Sequence, residues 1–297
     1  MKKIVLFGNC QSEQLFRLFL LLLPQSEFEI KNFSNNTRTG NLLPSEEILS
    51  AIRGCDVLIY QPLSKNHGDL SEDNILKIIR SNCTQISFPY IFNSGVYSLC
   101  HAPRSTTHGY GMIYGEEVII DLVKAGKTRE EIIEDYKNGV IDFDLKNRFR
   151  ESIAEMARRE AQLDIKLTDF IEKNYQKQKY FITHNHPSNL LLLEIIRQVT
   201  VIAQLPIEEN SFPKIIFPDL IETNCPISPY DIKIHGYKFN QHQNWKKKGA
   251  KLINLIIDSY YYEQENPGKK LRPSIDIPDL YRNTSRKIVA ELNKLFK

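Results

Sequence analysis

No C-x-x-C pair occurs in this chain, and its five cysteines (Cys10, Cys55, Cys83, Cys100 and Cys225) are scattered and odd in number. That usage argues against a structural zinc site and predicts a reduced, cytoplasmic protein without structural disulfides. Long apolar runs are missing as well. Leu18–Leu23 amounts to about a turn and a half of helix, ends at Pro24, and is too short to span a bilayer. Met1-Lys2-Lys3 imitates the start of a signal peptide, but Gln11, Ser12, Glu13 and Gln14 interrupt the apolar run after it and no small-residue cleavage site appears. Charge of one sign is not in excess: the formal net charge is +3 over 297 residues, which gives no electrostatic case for nucleic acid. The aromatics of His235-Gly236-Tyr237-Lys238-Phe239 and the lysines Lys246-Lys247-Lys248 are read as a core edge and a solvated helix end, the alternative being a holder for a nucleotide-like group. There is no internal repeat and no P-loop, and Gly109-Tyr110-Gly111 is only a fragment of a dinucleotide fingerprint with no strand leading into it.

What is present is a 41% hydrophobic fraction, enough for a sizeable core, in a length that suits one large domain or two modest ones. The organising stretch is Ile4-Val5-Leu6-Phe7-Gly8-Asn9-Cys10-Gln11-Ser12. Four apolar residues suit a buried strand, Gly8 and Asn9 suit a turn, and Leu15, Leu18, Phe19 and Leu22 then recur with helical spacing. A cysteine at such a turn faces the free N–H groups and positive dipole end of a helix, which favour an anion or a thiolate. Cys10 is therefore expected to lose its proton more easily than a free thiol. The alternative is a cysteine acting as a small buried hydrophobe.

Along the chain, Phe28–Phe33 alternates as an edge strand does, Pro44–Gly54 reads as a helix, and Asp56–Tyr60 as a strand ending at Gln61-Pro62. Ser71–Arg80 is a helix and Gln85–Phe88 a fourth strand. Strands alternating with helices predict parallel pairing with helices on both faces. Regularity fails from Tyr90 to Tyr114, a Gly-, Ser-, Thr- and His-rich stretch read as a binding loop or a surface loop. Residues from about 115 to 178 are helical: Glu116–Lys124, a capping-box start at Thr128-Arg129-Glu130-Glu131, and a long charged helix over Phe149–Lys173. Prolines recur from Pro206 to Pro229, which suggests an extended wrap. Helices at Asn244–Tyr262 and Leu280–Phe296 come after it.

Tyr180–Ile182 reads as another strand, followed by Thr183-His184-Asn185-His186-Pro187 and a helix through Val201, with Pro187 in its first turn. This places His184 and His186 at a second strand-to-helix turn, so that a Cys–His pair in space becomes the arrangement for an activated thiol. Zinc is the competing reading. The two histidines project to opposite sides of an extended segment, no second soft ligand lies nearby, and no metal is expected.

Phe7-Gly8-Asn9-Cys10-Gln11 together with Phe181-Ile182-Thr183-His184-Asn185-His186-Pro187, and Arg159-Glu160 about a helix upstream, resembles the WcbI family of bacterial polysaccharide-biosynthesis enzymes. The resemblance covers roughly the first two hundred residues. It implies an α/β core distantly similar to the SGNH hydrolases, binding of coenzyme A, and acetyl transfer to a capsule sugar. In the SGNH pattern Cys10 stands at the serine position, His186 at the histidine, and Thr183 where an aspartate would be. His184 and Glu160 are the candidates to orient His186.

The resulting expectation is an α/β fold: an open, mainly parallel sheet with helices on both faces (SGNH- or flavodoxin-like). Residues 1–205 form the catalytic core, including a helical insertion at about 115–178. Residues 206–297 form an extended wrap with C-terminal helices packed on the core. Cys10 and His186 are the catalytic candidates. Gly8, Asn9, Gln11, Asn93 and His184 are candidates for the oxyanion or substrate, and Arg158, Arg159, Arg104 and Lys2 for the coenzyme phosphates. The partners implied are acetyl-coenzyme A as donor and a glycan acceptor, and nothing opposes self-association into a homo-oligomer. Two other functions use the same turn: a thiol esterase or deacetylase on glycans, and a non-catalytic module gripping an anionic sugar.

Overall fold

β1 (Lys2–Gly8) forms because Ile4, Val5, Leu6 and Phe7 alternate between two apolar environments while all four are buried. Full burial of each such side chain contributes about 1.5–3 kcal/mol. The computed structural model describes residues 1–35, 45–101, 113–214, 225–239 and 244–267. Within them β1 is followed by α1 (Cys10–Leu22), β2 (Phe28–Ser34), α2 (Ser45–Gly54), β3 (Val57–Tyr60), α3 (Glu72–Ile78) and β4 (Thr84–Ser87). The four strands form one parallel sheet in the order β2-β1-β3-β4, with Ile4 opposite Ile30 and Val57, and Ile59 opposite Ile86. Period-two alternation sorts the side chains. Ile4, Leu6, Val57, Ile59 and Ile86 pack with α1 and with α8 (Asn189–Ala203). Val5, Phe7, Leu58 and Tyr60 pack with α2 and α3 on the other face. The α/β class, the parallel sheet and helices on both faces are as the sequence predicts. All carboxyl ends of the strands open on one edge, where ligands bind in such sheets.

The helical insertion comprises α4 (Glu116–Lys124), α5 (Arg129–Asn138), α6 (Leu145–Glu160) and α7 (Thr168–Asn174). The capping box at Thr128 and Glu131 is present, and Gly139 closes α5 in the left-handed region at φ 68°. The single long helix read over Phe149–Lys173 is instead α6 and α7. The break has a cause: Glu160, buried, turns its carboxylate onto the backbone N–H groups of Leu167 and Thr168 and caps α7. α10 (Trp245–Glu265) packs on α4 and α5 through Trp245, Leu252, Ile253 and Ile256.

Over its described part, residues 90–101, the stretch after β4 is not a free surface loop. Ile91, Asn93, Val96, Tyr97, Ser98, Leu99 and Cys100 are buried. A buried irregular segment needs partners for its backbone, and α9 (Pro229–His235) with the residues after it supplies them. Asp231 accepts from Ser98 N (2.7 Å), His235 Nε2 meets Gly95 O (2.7 Å), and Tyr237 donates to Val96 O (2.7 Å). His235 and Tyr237, read from sequence as a core edge or a nucleotide holder, are thus core residues.

The short strands β5 (Cys100–His101) and β6 (Ile113–Tyr114) pair antiparallel, as do β7 (Phe181–Thr183) and β8 (His186–Pro187). The latter pair stands outside the main sheet, so the histidine segment is a hairpin and not a strand-to-helix turn of the sheet. Pro187 lies in β8, and Ser188 is the N-cap of α8.

The expectation of no disulfide is overturned. Cys100 and Cys225 are disulfide-bonded, their Cα atoms 4.3 Å apart across a sequence separation of 125 residues. The buried course of the segment after β4 brings them together, and no spacing signal announces a pair so distant in sequence. Thiol titration of unfolded, unreduced protein should count three free thiols (Cys10, Cys55, Cys83), and five after reduction. Five thiols before reduction would deny the bond. Among the described residues no helix is long and apolar enough to cross a membrane. The helix predicted over Leu280–Phe296, the glycine-rich fragment at Gly109-Tyr110-Gly111, and Arg104 lie outside the described residues.

Candidate functional site

The turn after β1 is held from several sides. Asn9 is the N-cap of α1, its Oδ1 accepting from Gln11 N at 2.8 Å. Its own N–H donates to Gln61 Oε1 at 2.9 Å. Gln61 follows β3 directly, as Gly8-Asn9 ends β1, and in the sheet register Phe7 faces Tyr60. Gly8 is required by packing: a Cβ there would lie 2.8 Å from Ser12 Cβ and 3.0 Å from Gln61 Oε1. Gln11, 2% exposed, spreads its amide over three segments. Nε2 donates to Ile91 O (2.8 Å) and to Asn185 O (2.9 Å), while Oε1 accepts from Ile91 N (3.1 Å) and Gln61 Nε2 (3.1 Å). The helix carrying the cysteine is therefore tied to the hairpin carrying the histidine.

That tie brings Cys10 Sγ to 3.6 Å from His186 Nε2, across 176 residues of sequence. The other ring nitrogen, Nδ1, lies 2.7 Å from Thr183 Oγ1, which is 3.0 Å from Asn185 Oδ1. Burial pushes His186 down to about 4, so the imidazole is neutral and its lone pair is available at neutral pH. Cys10 departs from the sequence expectation: its pKa is raised, first by burial and then by the Glu13 carboxylate one turn along α1. The Cys10 and Gln11 backbone N–H groups act in the opposite direction but do not prevail. The resting pair is a thiol and a neutral imidazole, and the cysteine ionises only as the histidine takes its proton. The residue keeps solvent-accessible surface even though the fold packed around the sulfur desolvates its thiolate form. It opens on a narrow cleft with apolar walls from Ile182, Pro187 and Leu192.

The remaining candidates divide sharply. His184 is fully buried, its Nε2 against Tyr97 O at 3.1 Å, and burial drives it down to about 3. Packed against Tyr97, it neither orients His186 nor touches the cleft. Asn93 is also fully buried; its Oδ1 accepts from Gly95 N at 2.9 Å and its own N–H donates to His184 O, so it shapes the backbone and offers nothing to an oxyanion. Glu160 is spent on capping α7. The Gln11 side chain and N–H are both consumed within the fold, which leaves the Cys10 N–H and the Asn9 side-chain amide as the donors at the turn. Lys2 sits at the far end of β1, bonded to Ala203 O at 3.2 Å, about 20 Å of strand away from the turn.

Arg158 and Arg159 share Glu155 as a partner. Arg158 is 71% exposed on the outer side of α6, whereas Arg159 borders a cavity of about 390 Å3 that also takes in Asn9, Gln61, Pro89 and Tyr90. That cavity abuts the Cys10 turn. Sequence reasoning missed Gln61, although a polar residue directly after a wholly buried strand was a signal for it. No group of three or more His, Cys, Asp or Glu side chains that could hold a metal occurs among the described residues.

Comparison with known proteins agrees with this architecture. A search of curated proteins finds no match. A solved structure of WcbI, described as a novel polysaccharide biosynthesis enzyme in its native form without a disulfide bond between coenzyme A and one of its cysteines, superposes with a TM-score of 0.60. It is 16% identical, and the match covers 89% of this chain and 97% of that one, which speaks to the fold. The family model for the polysaccharide biosynthesis enzyme WcbI matches residues 3–208, a span holding both the Cys10 turn and the His186 hairpin, and the chain belongs to the WcbI family of polysaccharide biosynthesis enzymes.

Proposed function

We propose that this chain transfers an acetyl group from coenzyme A to a sugar hydroxyl on a glycan precursor, with Cys10 and His186 as the reactive pair. The observation that carries the reading is the 3.6 Å approach of Cys10 Sγ to His186 Nε2 at the N-terminus of α1. In the first step His186 Nε2 takes the thiol proton while Sγ attacks the thioester carbonyl. The tetrahedral oxyanion lies before the helix N-terminus, where the Cys10 N–H and the Asn9 amide can donate to it. Collapse expels the coenzyme as its thiolate, which recovers the proton from His186. The sugar hydroxyl then gives its proton to His186 and attacks the acetyl-cysteine, and Cys10 leaves as the thiol. Exchange of one thioester for another is close to balanced in energy, and formation of the oxygen ester drives the second step.

The cleft of Ile182, Pro187 and Leu192 measures about 10 Å3, room for about one water, so the acetyl group and the thiol end of the coenzyme are assigned to the adjoining cavity of about 390 Å3 that reaches Asn9. Arg159, beside the adjoining cavity, supplies a cation for a phosphate. That coenzyme A figures in the description of the WcbI structure supports this choice of donor. Titration calorimetry with coenzyme A tests it. Arg159→Ala is expected to weaken binding about tenfold, as removal of one charge-assisted contact does, and Arg158→Ala to change it by less than about twofold. No heat of binding to the unaltered protein would overturn the donor assignment.

A further inference from the structure

We propose that Thr183 and Asn185 form a neutral positioning relay that fixes His186 in the tautomer with its proton on Nδ1, leaving Nε2 as an acceptor for the Cys10 proton. The proposal deepens the reading of Cys10 and His186 as the reactive pair, and it does not depend on which acyl donor the protein uses.

A threonine hydroxyl has one hydrogen to give. Thr183 is fully buried, and its Oγ1 has two neighbours within hydrogen-bond distance: Asn185 Oδ1 at 3.0 Å and His186 Nδ1 at 2.7 Å. Asn185 Oδ1 can only accept, so the hydroxyl hydrogen goes to it. The 2.7 Å contact then has to be a donation from His186 Nδ1–H to the hydroxyl oxygen. With the ring neutral, Nε2 carries a lone pair and points at Cys10 Sγ. Asn185 is itself anchored, because its carbonyl oxygen accepts from Gln11 Nε2 at 2.9 Å, on the same helix that bears Cys10. The relay and the cysteine thus share one support.

A carboxylate in place of Thr183 would do something different. It would stabilise the imidazolium and raise the histidine's pKa. Among the described residues Cys10 is the titratable side chain facing His186, and burial alone accounts for the histidine's low pKa. The neutral relay selects the tautomer without charging the ring, which matches a resting pair of thiol and imidazole. Thr183 and Asn185 are positioning residues, since neither lines the cleft.

Two measurements test this without any turnover assay. The first is the nitrogen spectrum of His186 in protein labelled at histidine, which reports the tautomer directly. The second is the rate at which iodoacetamide alkylates Cys10 as a function of pH. In that reaction the Sγ–carbon bond forms, iodide leaves and the thiol proton passes to His186. Cys10 is the exposed free cysteine, while Cys55 and Cys83 are buried, so the reaction reads one site. The spectrum of the unaltered protein should show the proton on Nδ1. Thr183→Val should abolish that preference and slow alkylation at pH 7 by about 10- to 100-fold, a part of the 10²- to 10⁴-fold that a positioned base supplies. Thr183→Ser should restore both. Thr183→Asp should move the acid limb of the alkylation profile upward by about one to three pH units. A proton on Nε2 in the unaltered protein, or Thr183→Val with an unchanged spectrum and rate, overturns the relay, and the first of these needs no variant to fold. Absence of acetyl transfer with a Nδ1-protonated His186 would instead strike at the donor assignment alone.

Discussion

Cys10→Ala is expected to lower acetyl transfer from acetyl-coenzyme A to a sugar acceptor by about a thousandfold or more, equivalent to about 4 kcal/mol of transition-state stabilisation, with the melting temperature within about 2 °C of the unaltered protein. The side chain is exposed, so its removal opens no core cavity. His186→Ala should fall to the same level. The two act as one unit, since the thiol has a raised pKa and delivers a nucleophile only when the imidazole 3.6 Å away accepts its proton. The double variant should therefore be no slower than either single one, because groups acting in one step are far from additive. Residual activity would come from binding and from the helix N-terminus. Stopped assays of free thiol release, with and without a sugar acceptor, read all three variants. Rates near the unaltered protein's in either single variant would remove that residue from the mechanism. Equal release with and without acceptor would mean hydrolysis.

The sequence makes the strand–turn–helix at Gly8–Ser12 legible because local rules govern it: an apolar run, a glycine with no room for a Cβ, and an asparagine that caps the helix. The same rules place Thr128 in its capping box and Glu116–Lys124 in a helix. The approach of Cys10 and His186 is readable as two special residues at two turns, but their common location depends on Gln11, whose pattern in sequence is that of any polar residue in a first helical turn. Long-range polar bonds of this sort leave no periodic trace. The same blindness hides the Cys100–Cys225 bond and the burial of the segment after β4, which rests on Asp231, His235 and Tyr237 from far along the chain. It misassigns His184 and Asn93, since a histidine or asparagine satisfied by distant backbone looks in sequence like one waiting for a ligand. The direction of the Cys10 shift is misread for a related reason. The helix N-terminus is a local feature, whereas the burial that outweighs it is a product of the whole fold.

Gln11→Leu should destabilise the protein by about 3–5 kcal/mol, a fall of about 10 °C or more in melting temperature for a chain of this size. Leucine is close to glutamine in volume, so the loss is not one of packing. It leaves Ile91 without the side-chain partners of its N–H and its carbonyl, the Asn185 carbonyl without its donor, and the Gln61 amide with Pro89 O, at 3.4 Å, in place of its shorter bond to Gln11. Each buried polar group left unmade costs about 1–3 kcal/mol, with some recovered by relaxation. Gln11→Glu separates polarity from shape. A carboxylate there faces the carbonyl oxygens of Ile91 and Asn185, so its pKa in the folded state is pushed above that of the unfolded chain. The sign is then set: the destabilisation is full at neutral pH, and part of it is recovered as the pH falls through the folded-state pKa and the acid gains a proton to donate. Thermal melts of both variants between pH 5 and 8 measure this, with Gln11→Leu expected to lack that recovery. Because the same amide holds the His186 hairpin against α1, alkylation of Cys10 should slow in both variants although Gln11 offers its side chain to no substrate. A Gln11→Leu protein as stable and as reactive as the unaltered one would show that the hairpin reaches the cysteine without this amide, and that the two motifs are joined by the apolar packing of α1 against α8 alone.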